Sequence, residues 1–303
     1  MAEVHPGPCS ALSPAPSPCA PPAPDPPLGE TGPGGSWLRP GWRWAQGDQR
    51  AFEASGWVQL RGLLSAEGVR AAQRWVTATM AGPGASLDLS STDLQRRHPC
   101  VAALAAEPEL RRAAAAACGC DSATLFQAQL RCKQPAQAPR EGHVAWHIDG
   151  LQSPAASPAA AAALARLAAE GRAAEFREFT LWLALDPVSE GLRNGTMEVL
   201  SGMHTCGPLS AEGTGGFLPQ FETCGDDDES LRRVCEETLG ADGYAAAVAA
   251  AAEGGAGLRR AYALEPGDAG CHGANTPHRS LPNVSPEAVA RRALVLRYHT
   301  DAP

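Results

Sequence analysis

His147 and Asp149 stand two positions apart in Val144-Ala145-Trp146-His147-Ile148-Asp149-Gly150. An imidazole and a carboxylate at that spacing suit metal ligation. Residues two apart on an extended strand project to the same side, so the two groups would converge while Trp146 and Ile148 turn away. Such a pair supplies two ligands of the facial triad of non-haem iron(II) oxygenases. With eight histidines in the chain, a His-x-Asp pair arises by chance in roughly one such sequence in three. The plain alternative is a His and an Asp flanking a surface turn. A helix would instead bring His143 and His147 together as a zinc pair. The Glu of H-E-x-x-H is missing, however, and Gly142 and Gly150 bracket a strand better than a helix.

A second histidine-bearing segment lies near the carboxyl end. The turn Pro266-Gly267-Asp268 precedes Cys271-His272-Gly273-Ala274-Asn275-Thr276-Pro277-His278, then Arg279-Ser280-Leu281-Pro282-Asn283-Val284-Ser285-Pro286, then a strand opening with Arg291-Arg292-Ala293-Leu294. His272 and His278 would lie about 20 Å apart along an extended strand, so both are not expected on one metal. His204 is expected to hold a loop and His299 to be structural, while His5 and His98 have no companions.

The elements that must position these groups are short. The spacing predicts a helix over Gln49–Ser55, a strand over Gly56–Arg61, and a helix capped by Ser65 that runs through Trp75. A further helix spans 99–118 and stops near Gly119. From Leu125 the pattern alternates, with strands over Leu125–Lys133, Val144–Asp149, Phe179–Leu185, Thr196–Leu200 and Ala293–Tyr298. Two Ala-rich insertions, about 155–178 and 229–262, read as helices outside the sheet. Helices first and many short strands after predict a mainly β chain with flanking helices around a jelly-roll core.

Residues 1–40 hold nearly half of the 27 prolines and read as a disordered tail, with one domain over 41–303. The net charge of −8 and the scattered Arg-Arg pairs offer no nucleic-acid footprint. Ten irregularly spaced cysteines without C-x-x-C point to free thiols and a reducing compartment, with the cytoplasm as default. No stretch is apolar enough to span a bilayer.

Taken in order, these motifs resemble the phytanoyl-CoA dioxygenase family of iron(II)/2-oxoglutarate enzymes. The matching stretches are Phe52-x-x-x-Gly56-Trp57-Val58, Trp146-His147-Ile148-Asp149-Gly150, Asn194-Gly195 through Gly202-Met203-His204, and Pro266-Gly267-Asp268 through Pro286. The resemblance covers about residues 50 to 300 and implies a double-stranded β-helix of cupin-like type. It makes His147, Asp149 and His278 the iron ligands, and it favours His278 over His272. Arg291 becomes the partner of the far carboxylate of 2-oxoglutarate, with Arg292 the alternative because the strand register is open. Gln129, Trp182 and Ser280 fall at cosubstrate-pocket positions. The implied cofactors are Fe(II) and 2-oxoglutarate, with ascorbate as reductant. The implied reaction is hydroxylation of an aliphatic carbon of a small-molecule or acyl substrate, with release of succinate and carbon dioxide. Related halogenases carry a small residue where Asp149 stands, so hydroxylation is expected rather than halogenation. Ser201 and Met203 replace the family's usual proline and serine. Two rivals stand beside this: a cupin-like metalloenzyme that is no oxygenase, and a catalytically degenerate binding protein on the same fold.

Overall fold

The computed structural model describes residues 36–300 apart from 82–93, 137–141, 151–157, 173–175, 207–215, 223–226, 254–256 and 288. The first half is helical: α1 (Gln46–Ser55), α2 (Ala66–Ala81), α3 (Leu94–Arg97), α4 (Pro99–Ala105) and α5 (Pro108–Cys118), with strand β1 (Trp57–Leu60) between α1 and α2. Strands β2 (Ala123–Lys133), β3 (Val144–His147), β4 (Glu178–Ala184) and β5 (Met197–Leu200) follow, with α6 (Pro158–Ala169) between β3 and β4. After α7 (Pro219–Glu222) and α8 (Asp228–Glu253) come β6 (Arg259–Ala261), β7 (Ala269–Gly273), β8 (His278–Ser280) and β9 (Arg291–Thr300).

The strands form two antiparallel sheets, a five-stranded one in the order β1-β7-β4-β9-β2 and a four-stranded one in the order β3-β8-β5-β6. This is the expected jelly roll with helical buttresses. Strand parity sorts the side chains. On β9, Leu294, Leu296 and Tyr298 bury against the helices, in one cluster with Leu130, Leu181 and Leu183. Ala293 and Val295 face the other way, among Trp57, Trp182, Met197, Val199 and Tyr262. Each buried leucine contributes roughly 2 kcal/mol. A one-residue slip would turn all of them into the space between the sheets, so the register is secure.

Three expectations change. The helix over 99–118 is two helices, because Pro108 opens α5 and disfavours helical geometry at Glu107. Gly119 then ends α5 in the left-handed region at φ 66°, as its position suggested. The insertion over 229–262 is not helical throughout: α8 covers Asp228–Glu253, and Arg259–Ala261 form β6, paired to β5. Within the expected tail, Trp37 and Leu38 are core residues, and Leu38 bridges Leu64. The rest of the predicted tail lies outside the described residues. No helix among the described residues is long and apolar enough to cross a membrane.

Candidate metal centre

The register of the minor sheet makes the site. β3 and β8 are antiparallel with His147 directly opposite His278, and their rings are 4.1 Å apart. β3 ends at His147, so Asp149 lies in the turn beyond it. The Asp149 and Gly150 amides both donate to the Ala274 carbonyl, at 2.9 and 3.0 Å. This anchor, rather than a continuing strand, returns the carboxylate to the imidazoles. Asp149 Oδ1 lies 3.9 Å from Nε2 of each histidine, and the three ligand atoms lie within 4.8 Å of one another.

Each imidazole is oriented by its own backbone. Nδ1 of His147 lies 2.8 Å from the Ala145 carbonyl, and Nδ1 of His278 lies 2.9 Å from the Thr276 carbonyl. A carbonyl can only accept, so Nδ1 carries the proton and the Nε2 lone pair faces the cavity. Burial lowers both histidine pKa values, that of His278 well below the ordinary range, which keeps the rings neutral and able to ligate. Burial also opposes the Asp149 carboxylate. The Arg297 guanidinium, with Nη2 at 2.8 Å, and the neighbouring His278 and His272 side chains together outweigh this and hold its pKa well below the usual value. Thr180 Oγ1 donates to Asp149 Oδ2 at 3.1 Å. Two neutral nitrogens and one carboxylate oxygen around one point suit a divalent first-row metal, and the donor set fits iron(II).

The triad opens on a cavity of about 240 Å³ between the sheets, which Arg291, Gln129, Trp182 and Ser280 also line. Arg291 is fully buried. Its Nη2 donates to the Gly195 carbonyl at 2.7 Å and to Ser280 Oγ at 3.3 Å, and its guanidinium stands 4.9 Å over the Trp182 ring. Nε meets no acceptor among the described residues. Burial brings its pKa down to about 10, so it remains a cation at neutral pH. Arg292 points to the helical face and pairs with Asp186, away from the cavity that Arg291 lines.

His272 is placed differently from expectation. Its ring is 4.2 Å from that of His278, not some 20 Å away, because the turn after Gly273 carries the chain from one sheet to the other. His272 Nε2 lies 3.5 Å from Asp149 Oδ2, on the carboxylate edge that Thr180 holds, and Nδ1 lies 3.1 Å from the Tyr262 hydroxyl. It packs beside His278 but faces Asp149 Oδ2, whereas the Nε2 atoms of His147 and His278 face Oδ1.

Other histidines are occupied elsewhere. His143 meets Glu222 at 3.2 Å, His98 accepts from the Trp75 indole, His204 contacts the Glu53 carbonyl, and His299 contacts its neighbour Thr300. Sequence reasoning passed over Arg297, Thr180, Gln127 and Lys133, all of which line the cavity. Parity could have found Arg297, since it shares the face of Arg291 on β9.

The family model of phytanoyl-CoA dioxygenase matches residues 52–293. No curated protein matches the sequence. Among solved structures, EctD from S. alaskensis with 2-oxoglutarate and 5-hydroxyectoine superimposes with a TM-score of 0.56 at 19% identity, over 89% of this chain and 82% of that one. The epimerase SnoN from nogalamycin biosynthesis, in complex with Fe3+, alpha ketoglutarate and nogalamycin RO, gives 0.56 at 16% identity over 84% and 83%. EvdO2 from Micromonospora carbonacea var. aurantiaca, complexed with 2-oxoglutarate, gives 0.53 at 18% identity over 86% and 93%. At these identities the likeness is one of fold.

Proposed function

The chain belongs to the phytanoyl-CoA dioxygenase family, and from that premise we propose that it is an iron(II)- and 2-oxoglutarate-dependent hydroxylase of an aliphatic carbon in a small-molecule or acyl substrate. One observation carries the reading. A buried arginine with no carboxylate within ion-pair distance among the described residues lines the same cavity as the three ligand atoms. A buried charge left without a counter-ion costs several kcal/mol. A dicarboxylate that reaches from Arg291 to the triad removes that cost.

In this reading His147, Asp149 and His278 hold the metal, and the Ala145 and Thr276 carbonyls keep both Nε2 atoms free for it. Arg291 and Ser280 receive the far carboxylate of the cosubstrate. The planar guanidinium matches a carboxylate fork, and the Trp182 ring supports it from below. Gln129 stands on the same wall, and Met197 and Val295 add apolar surface that keeps water from the reacting carbon. When bound, iron(II) with 2-oxoglutarate supplies the activation of dioxygen, coupled to formation of succinate and carbon dioxide and transfer of one oxygen to a carbon–hydrogen bond.

The cupin-like rival has no use for an unpaired Arg291, and a degenerate binding protein has no need to hold both imidazoles in the ligating tautomer. Anaerobic addition of iron(II) and 2-oxoglutarate tests the proposal. A visible metal-to-ligand charge-transfer band is expected, with succinate release once oxygen and a substrate are added. Absence of the band at saturating ligand overturns the reading. A product lacking an oxygen atom from labelled dioxygen overturns hydroxylation alone and favours the chemistry of an epimerase.

A further inference from the structure

Arg297 is the second buried cation of the cavity, and the proposed cosubstrate does not account for it. β9 pairs with β2 so that Lys133 faces Arg291, Gln129 faces Val295 and Gln127 faces Arg297, all lining the cavity. Arg291 and Arg297 are six residues apart, about 20 Å along the strand. One end of the cavity therefore holds Arg291, Ser280 and Lys133, and the other holds Arg297, Gln127 and Asp149. A cosubstrate anchored at Arg291 reaches the metal from the first end. Arg297 faces it from the second.

The bonding of Arg297 is incomplete. Nη1 donates to Gln127 Oε1 at 2.9 Å, while Nε and Nη2 make no hydrogen bond among the described residues. Nη2 lies 2.8 Å from Asp149 Oδ1, close enough for an ion pair. Nε–H and Nη2–H form the parallel edge of a guanidinium that binds a carboxylate in two-pronged fashion. Asp149 reaches only the Nη2 end of that edge, and Nε is left without an acceptor among the described residues. Oδ2 is engaged by Thr180 and faces His272, so Oδ1 is the oxygen turned to the imidazoles, and it is the oxygen Arg297 contacts. With a metal held, two cations would share one oxygen.

Charge gives the same answer. Arg291, Arg297, Asp149 and a divalent metal sum to three positive charges, and 2-oxoglutarate brings two negative ones. Arg131 is exposed to water. Lys133, which burial and Arg291 pull down to about 6, adds no charge at neutral pH. One positive charge remains, beside the metal and away from the cosubstrate anchor.

We infer that Arg297 binds the substrate, and that the substrate carries a single carboxylate which seats on the Nε–Nη2 edge and brings the reacting carbon to the metal. This names the substrate class of the site proposed above and rests on that reading.

The test uses the whole chain with iron(II) and 2-oxoglutarate, held anaerobic, and a matched series of straight-chain monocarboxylates and their primary amides of two to eight carbons. The acids are expected to shift the charge-transfer band at millimolar concentration, and the amides are not. Arg297→Gln, read at iron(II) and 2-oxoglutarate concentrations raised until the band is complete, should bind the acids at least tenfold more weakly. Arg297→Lys, which keeps the charge and loses the fork, should fall between and covers the case in which the glutamine variant does not fold. A band that no acid shifts, amides as effective as acids, or an unchanged response in both variants overturns the inference and leaves the oxygenase reading intact. Loss of the 2-oxoglutarate band in both variants places Arg297 on the cosubstrate or on Asp149 and also overturns it. No band in the unaltered chain removes the oxygenase reading first.

Discussion

Arg291 and Arg292 are neighbours in the chain yet serve opposite faces of β9: the Arg291 guanidinium stands over the Trp182 ring inside the cavity, and the Arg292 guanidinium pairs with Asp186 on the helical side. Alternation along the strand separates them, and the leucines between the sheet and the helices hold the alternation in place.

Their variants should therefore differ in kind. Arg291→Gln is expected to raise the dissociation constant for 2-oxoglutarate at least a hundredfold and to leave metal binding in place, measured by anaerobic titration. Arg292→Ala should leave that affinity unchanged. It should lower stability by about 1 kcal/mol, because the Asp186 pair is only partly buried. Equal loss of 2-oxoglutarate binding in both would contradict the register.

His278 and His272 lie close together but are expected to behave differently toward iron. His278→Ala removes a ligand and should abolish stoichiometric binding. His272→Ala removes a group that faces Asp149 Oδ2, which should weaken binding by about 10- to 100-fold and no more. Isothermal titration of the metal-free protein with iron(II) under argon separates the two. Comparable loss from both would bring His272 into the ligand set.

Acid should destabilise the metal-free protein from just below neutrality. Burial places the folded pKa of His278 well below 6.5 and lowers that of His147, so the unfolded chain takes up protons that the folded chain refuses. Their contribution is complete above pH 6.5 and declines as pH falls, by up to about 1.4 kcal/mol per unit for each group. Asp149, with its pKa depressed mainly by Arg297 against the effect of burial, adds a loss of the same sign nearer its unfolded value of 3.8. Urea midpoints at pH 7.5 and 5.5 measure this. His278→Gln should flatten the slope, and a flat profile in the unaltered chain would refute the burial argument.

Gly270 gives way to the Tyr262 ring. A methyl group there would lie 2.1 Å from Tyr262 Cε2, within β7, where backbone pairing leaves little freedom to shift. Gly270→Ala is expected to cost about 1–3 kcal/mol, read as a lower melting temperature. Combining it with Tyr262→Leu should recover part of that loss, a non-additive pair in a double-mutant cycle. Simple addition of the two losses would show that the ring is not the obstacle.

The residue types that carry the chemistry were legible because strands and metals both impose spacing. His147-x-Asp149 pointed to ligation, the alternation after Leu125 pointed to sheets, and the order of the motifs pointed to the family. Gly119 as a helix stop was equally plain, since few residues other than glycine enter the left-handed region at low cost. The break at Pro108 was also written in the chain, since proline disfavours helical geometry at the residue before it.

What the chain determined by itself was thus the candidate His147-x-Asp149 pair and the class of fold, through local rules that act over a few residues, with His278 added by the order of the motifs. Which arginine faces the cavity, how near His272 comes to His278, and where Arg297 lies relative to Asp149 were decided only in the tertiary structure. Each depends on strand register and on a turn that crosses between sheets. Those are set by the summed burial of leucines far from the site, a quantity that no short window of residues contains.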